Sequence, residues 1–286
     1  MNKLEVKNVS YVYGRGTPFE IEALHDVSLG FESGKITGLI GHTGSGKSTL
    51  VSLLNGLYRP SEGQVLLDGT DIYEKPKEIT KIRFRVGLVM QYPEYQLFDE
   101  TVRADIGFAP RNLGLSAEEV EAAVREAAEY TGITEDLLDK SPFELSGGQK
   151  RRVAIAGVIA MHPEVLILDE PAAGLDPRGR REILGGLRRY VEKNGVTVIL
   201  VSHSMEDMAY YCDNVAVMSH ARLYRAGTVD EIFSDAEALV DIGLNVPEVA
   251  RIANRLIAAG IPLEGKLYTV EGVRDALLRY RKGGAR

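Results

Sequence analysis

Short apolar runs separated by longer amphipathic stretches organise most of this sequence. Residues 86–90, 165–168 and 196–201 are runs of this kind, in which Thr197 is the single polar residue. That is the pattern of strands buried on both faces. Residues 34–40 predict a further strand that runs into a glycine-rich loop, and residues 47–57 predict the helix that follows. Strands separated by helices imply an α/β fold with a mainly parallel sheet. Residues 4–13 and 23–32 alternate more strictly and predict antiparallel edge strands.

Two regions break this rhythm. Residues 99–142 lack β-branched runs and are rich in Ala and Glu. Ser116 and Glu119 have capping-box spacing, Val120, Ala123, Val124 and Ala127 follow at helical spacing, and Gly132 suits a C-terminal cap. These features predict a helical insert, with outer bounds at about 95–160. After residue 233, Val249, Ile252, Ala253, Leu256 and Ile257 fall on one helical face. Val270, Val273 and Leu277 begin a second. The expected division is therefore a main domain over 1–233 and a small helical tail over 234–286, either docking or packed on its own domain.

Composition changes the picture little. Apolar residues are 44% and charged residues 26%, as in a globular protein. A net charge of −7 gives no support to a nucleic-acid partner. The single cysteine, Cys212, cannot form an internal disulfide, which fits a reducing cytoplasm. No apolar run reaches the roughly 18 residues of a membrane span, and the first residues lack the apolar core of a secretion signal. A membrane role would have to act through a partner.

The candidate chemistry lies at the strand ends. Gly41-His42-Thr43-Gly44-Ser45-Gly46-Lys47-Ser48 fits the phosphate-loop pattern between a strand and a helix, with Thr49 just inside the helix. Glycines let successive N–H groups converge on one anion, and the helix N-terminus adds its dipole. Lys47 offers a charge to the β- and γ-phosphates, and the Ser48 hydroxyl offers a ligand to Mg²⁺. The His42 ring reads as incidental, because backbone holds phosphate here. The strand at 165–168 delivers Asp169 and Glu170 at its C-terminal end, where ligands sit in parallel sheets. Asp169 is placed for Mg²⁺ and Glu170 for the attacking water.

Leu145-Ser146-Gly147-Gly148-Gln149 resembles, letter for letter, the signature of ABC ATPases. Ser146 suits a helix cap, and its hydroxyl and the glycine amides could face a second phosphate. Lys150, Arg151 and Arg152 behind it read as solvated helix surface. The resemblance, covering about residues 4–233, implies a P-loop NTPase (RecA-like) core that hydrolyses ATP with Mg²⁺. It assigns Tyr13, rather than Tyr11, to the aromatic that stacks on adenine. Gln91 matches the glutamine that contacts Mg²⁺ and water and senses the membrane partner. Asp176, ending Ala173-Gly174-Leu175-Asp176, matches the loop that crosses to the other subunit. His203 matches the histidine that contacts the γ-phosphate. In this family the signature of one subunit closes on the phosphate loop of another, so each ATP lies between two chains. Ser219-His220-Ala221-Arg222 departs from the family, which more often has glycine in that hairpin turn.

Three stretches look like the second (A-prime) ATPase of energy-coupling factor transporters. They are Gly16-Thr17-Pro18-Phe19-Glu20, residues 91–98 and residues 169–177. That resemblance implies a peripheral subunit on the cytoplasmic face of the cell membrane, in an importer of vitamins or transition-metal ions. Its partners would be a second ATPase, a transmembrane coupling protein and a substrate-binding membrane protein. The tail, with residues 243–247, would help pair the two ATPases, and Glu94 would meet an arginine on an entering helix. The alternatives are another ABC importer such as a dedicated cobalt or nickel system, an ABC ATPase of DNA repair or ribosomes, and a regulatory module without turnover. Repair types carry long heptads and ribosomal types two cassettes, neither of which occurs here. Glu170 and His203 disfavour the regulatory module.

Overall fold

The computed structural model describes residues 1–283; residues 284–286, the end of the expected tail, lie outside it. Two long strands open the chain, β1 (Asn2–Tyr13) and β2 (Ile21–Glu32). Then β3 (Ile36–Gly41) leads to α1 (Lys47–Leu54), followed by β4 (Glu62–Leu67) and β5 (Thr70–Asp71). The pair β1–β2 is antiparallel, as its alternation predicts, but it does not edge the parallel sheet. It forms a sheet of its own in the order β2-β1-β4-β5. Helix α1 stops three residues short of its expected end. Gly56 adopts φ +75°, and the Leu57 amide turns back to the Ser52 carbonyl (2.9 Å), which closes the helix.

Next come α2 (Ile79–Arg85) and β6 (Val86–Val89), then the insert: α3 (Val102–Asn112), α4 (Ala117–Thr131), α5 (Glu135–Leu138) and α6 (Gly147–Ile159). Ser116 and Glu119 form the capping box of α4, and Gly132 ends it in the left-handed region. The chain returns through β7 (Val165–Asp169), α7 (Pro177–Asn194), β8 (Thr197–Val201), α8 (Met205–Tyr211), β9 (Asn214–Ser219) and β10 (Arg222–Thr228). The main sheet has the order β10-β9-β3-β8-β7-β6, parallel from β9 to β6, with β10 as its antiparallel edge. Because helices and the small sheet cover its faces, β7 and β8 are apolar on successive residues rather than alternating. The β9–β10 turn that lacks glycine still closes tightly. His220 (φ +47°) and Ala221 (φ +61°) both take left-handed backbone, at about 1–2 kcal/mol per residue. The His25 amide holds the turn by donating to the Ala221 carbonyl (2.8 Å).

After α9 (Val229–Phe233), which closes the main domain, the tail comprises α10 (Ala236–Asp241), α11 (Glu248–Ala258) and α12 (Val270–Gly283). Leu239, Leu244, Val246, Ala250 and Tyr268 join the main core, whereas Ala253, Leu263, Val273 and Ala276 make a small cluster of their own. Among the described residues no helix is long and apolar enough to cross a membrane.

The insert meets the sheet domain where α4 packs on α7. Gly186 makes this approach possible: a Cβ there would be driven into the Tyr130 carbonyl oxygen. Gly186→Ala is expected to destabilise the protein by about 1–3 kcal/mol, as overpacking does. Chemical denaturation measures this, and an unchanged midpoint would contradict the close approach of the two helices.

Candidate active site

Four of the five parallel strands, β3, β6, β7 and β8, place the chemistry at their C-terminal ends, on one side of the main sheet. β3 runs directly into the phosphate loop, and its last residue must be glycine. A Cβ on Gly41 would lie 2.5 Å from Ser45 Oγ and collide with the Met218 carbonyl of β9. Gly46, at φ +101°, sits against β2, where a Cβ would approach the Ala23 carbonyl to 2.5 Å. Lys47 is only 7% exposed. Its ammonium donates to the carbonyls of Gly41 (2.7 Å) and His42 (3.1 Å), so it curls the loop upon itself. Burial lowers the Lys47 pKa, opposed by the charges of Asp169 and Glu170. Ser45 Oγ is buried without a hydrogen-bond partner.

Asp169 and Glu170 face this loop from the end of β7. The Ser48 hydroxyl donates to Asp169 Oδ2 (3.4 Å). Burial raises the Asp169 pKa, with Ser48 and Lys47 opposing. Glu170 takes a left-handed backbone (φ +54°), and its amide donates to the Val201 carbonyl (3.0 Å). Burial and then the charge of Asp169 push its pKa up to about 7. Its Oε1 is buried without a hydrogen bond, and His203 Nε2 stands 3.7 Å away. Burial and then Lys47 lower the His203 pKa. A carboxylate tuned toward neutrality beside an unfilled space is suited to accept a proton from water.

These groups enclose a cavity of about 540 Å³. Its lining includes Tyr13, Thr43, Gly44, Gly46, Lys47, Ser48, Thr49, Gln91, Asp169, Glu170 and His203. Tyr13 lies at the rim, its hydroxyl 3.1 Å from Thr49 Oγ1, while Tyr11 stacks on Tyr58 and leaves the cavity alone. Gly41, His42 and Ser45 form the loop behind the lining. The His42 imidazole spans the Thr43 carbonyl (2.9 Å) and the His220 amide (3.3 Å).

The signature residues are elsewhere. Ser146 caps α6 in a capping box with Gln149, so the amides of Gly147 and Gly148 open the helix toward solvent. Ser146, Gly148 and Gln149 line a second hollow of about 400 Å³ together with Asp176, the N-cap of α7. The two hollows share no lining residue.

The family model for ABC transporters matches residues 24–173. The energy-coupling factor transporter ATP-binding protein EcfA2 of Caldanaerobacter subterraneus subsp. tengcongensis is 51% identical over 280 residues, covering 98% of each chain. The chain belongs to the ABC transporter family. Among solved structures, cbiO1 from Clostridium perfringens, part of the ABC transporter complex cbiONQ, is similar at 39% identity and TM-score 0.76. The likeness covers 88% of this chain and 99% of that one. The dimeric ATP-binding cassette MJ0796, in a post-hydrolysis state with ADP and Pi, is similar at 28% identity and TM-score 0.71, covering 79% and 98%. The chain is thus an ABC ATPase that binds adenine nucleotide.

Two side-chain expectations fail in this ABC ATPase, for the same reason. Arg151 is not solvated surface; it is 6% exposed and makes a bidentate pair with Glu94 (2.8 and 3.1 Å). It also donates to the Ala173 carbonyl. Glu94, expected to await a partner's arginine, already has one, which lowers its pKa against the opposing effect of burial. Arg152 pairs with Glu182 (2.6 Å). Both contacts join residues distant in sequence, so local patterning carries no sign of them. Ile21, Glu22, Ala23 and Val201 also line the phosphate-loop cavity, beyond the residues the sequence motifs point to. Ile21 had a signal: it is the direct cross-strand neighbour of Tyr13.

Proposed function

We propose that this ABC ATPase energises an importer of the energy-coupling factor type, taking up vitamins or transition-metal ions. It does so by binding Mg-ATP between its own phosphate loop and the signature of a second ATPase subunit. The supporting observation is the separation of the two half-sites: each is well formed and neither reaches the other within the chain. In this reading Tyr13 stacks on adenine, the loop amides and Lys47 hold the phosphates, and Thr49 lies at the α-phosphate end. His203 contacts the γ-phosphate. Ser146, Gly147, Gly148 and Gln149 close on the partner's nucleotide, and Asp176 crosses beside them.

Among the described residues no cluster of His, Cys, Asp and Glu is set to hold a metal unaided. Ser48, Asp169 and Gln91 instead offer the few oxygen donors that suit Mg²⁺, which keeps waters and nucleotide phosphates in its shell. When bound, Mg²⁺ would neutralise charge on the β- and γ-phosphates. Glu170 accepts the proton of the attacking water and His203 holds the γ-phosphate in line, so hydrolysis depends on positioning more than on covalent chemistry.

The subunit works at the cytoplasmic face of the membrane, against a transmembrane coupling protein that carries a substrate-binding membrane protein. Residues 234–286 assist pairing: Ile252, Ile257, Leu278 and Tyr280 of the tail are exposed apolar side chains. The surface for the membrane partner is the segment from Gln91 to Phe98, where Tyr92, Tyr95 (84% exposed) and Phe98 (59%) are exposed aromatic side chains. Aromatic side chains commonly anchor interfaces. Since Glu94 is committed to Arg151, these aromatics are the ones to change. The double variant Tyr95→Arg, Phe98→Arg is expected to lose assembly and solute uptake while the isolated subunit keeps its ATP affinity. Wild-type protein from native membranes should co-purify with a second ATPase chain and membrane proteins. Recovery as a sole chain, or normal uptake by the double variant, would overturn this reading.

A further inference from the structure

The chain leaving His203 has little slack. Ser202 Oγ accepts from the Ser204 amide (3.1 Å), and Ser204 caps α8 by accepting from the Asp207 amide (3.2 Å). Met205, Met208 and Ala209 bury one side of α8. Met208 lies so close to β3 that a Cβ on Gly38 would overlap its sulfur. Packing this tight passes displacement on rather than absorbing it. α8 is therefore fixed both to His203 and to the strand that delivers the phosphate loop.

Two acids of its first turn reach in different directions. Asp207, 7% exposed, accepts from Arg180 Nε on both oxygens (2.8 Å each) and from Nη2 at 2.6 Å. Arg180 stands in the first turn of α7, and its amide donates to the Asp176 carbonyl (3.0 Å). A bidentate arginine–carboxylate pair with a buried carboxylate is geometrically exacting. Glu206 reaches the tail, where its Oε1 accepts from the amide of Glu248, the first residue of α11 (3.3 Å). The residue before it is Pro247, which has no side-chain acceptor to cap the helix. Glu206 supplies that acceptor from another element, and its charge faces the positive end of the α11 dipole.

We propose that Arg180, Asp207 and Glu206 are positioning residues of the ATPase reaction. Through α8 they tie the placement of His203 to the Asp176 loop and to the tail, and carry occupancy of the γ-phosphate position to both. The inference rests on the reading of His203 as the γ-phosphate contact. ATP, which has that phosphate, therefore moves both arms, and ADP does not.

Hydrogen–deuterium exchange of the full chain tests this in a Glu170→Gln background, where ATP persists. Both nucleotides with Mg²⁺ should protect amides 42–49. ATP alone should change exchange at Gly179, Arg180 and Glu248, by about tenfold or more, the scale of a local opening equilibrium being shifted. Asp207→Asn should abolish the response at 179–180 and keep that at Glu248, while Glu206→Ala should do the reverse. With Glu170 intact, Asp207→Asn should lower kcat by about 10- to 100-fold, as misplacement of a reacting geometry does, with ATP affinity within about twofold. Arg180→Lys, which keeps the charge, should retain more activity than Arg180→Gln. A purely structural pair would not distinguish ATP from ADP. An ATP response at 179–180 that survives Asp207→Asn overturns the proposal, as does none in the parent when amides 42–49 are protected. Absence of protection at 42–49 with either nucleotide would instead overturn the phosphate-site reading on which it stands.

Discussion

Glu170→Gln is expected to slow ATP turnover by about 10²–10⁴-fold while leaving ATP binding intact, the range for loss of a general base. The glutamine keeps the shape of the side chain at the end of β7 but cannot take a proton. Because ATP is then held without being consumed, the same variant should accumulate as an ATP-bound dimer, visible as a shift in size-exclusion chromatography. A variant that turns over normally, or stays monomeric with ATP, would contradict the role given to Glu170. The carboxyl also leaves a mark on stability. Its folded value of about 7 lies above the ordinary 4.5, because burial and Asp169 disfavour the charged form. A raised carboxyl value favours the protonated folded state, so its contribution to stability is lost as pH rises from 4.5 through 7. In chelator, without nucleotide, Glu170→Gln should therefore gain on wild type as pH rises from 5 to 8, by about 1–3 kcal/mol. Thermal melts across that range give the measurement, and a constant difference would sink the argument.

The parts of this molecule legible in the sequence are those set by local rules. The phosphate loop needs glycines where backbones converge and a lysine at the helix start, all within eight consecutive residues. The capping boxes at Ser116 and Ser146 are likewise written within four positions each. Strands β7 and β8 declare themselves because burial on both faces leaves four consecutive apolar residues in each, 165–168 and 198–201. What stayed hidden depends on elements far apart in sequence. Alternation in β1 and β2 shows two-faced strands but not which sheet they join; their partner β4 lies beyond α1. The basic run after the signature looks solvated on a helical wheel, yet α6 lies against the segment that follows Gln91, and Glu94 neutralises Arg151 there. A charge is read as exposed until its partner is found, and here the partner lies 57 positions away.

Lys47→Ala is expected to have the largest effect on nucleotide binding. Lys47 supplies the sole Lys or Arg side chain in the cavity lining, which also contains Asp169, Glu170 and Glu22. Without it, a triphosphate would meet a wall whose side-chain charges are all negative. Truncating one member of a buried, hydrogen-bonded charge pair costs about 2–5 kcal/mol, so ATP affinity should fall by about 30- to 5,000-fold. Two effects on the empty protein oppose each other. The carbonyls of Gly41 and His42 lose the ammonium that curls the loop around it. Against that, a cation whose burial already lowers its pKa is removed from the interior. The melting temperature should therefore change little, and the loss should appear in binding rather than in folding. Lys47→Arg keeps the charge but places a wider, planar group in a space bounded by the Gly41 and His42 carbonyls, and should recover only part of the affinity. Calorimetric titration with Mg-ATP, alongside thermal melts of both variants, separates these contributions. Unchanged affinity in Lys47→Ala would remove the phosphate loop from the site, and a collapse in stability matching the loss of binding would assign Lys47 to the fold instead.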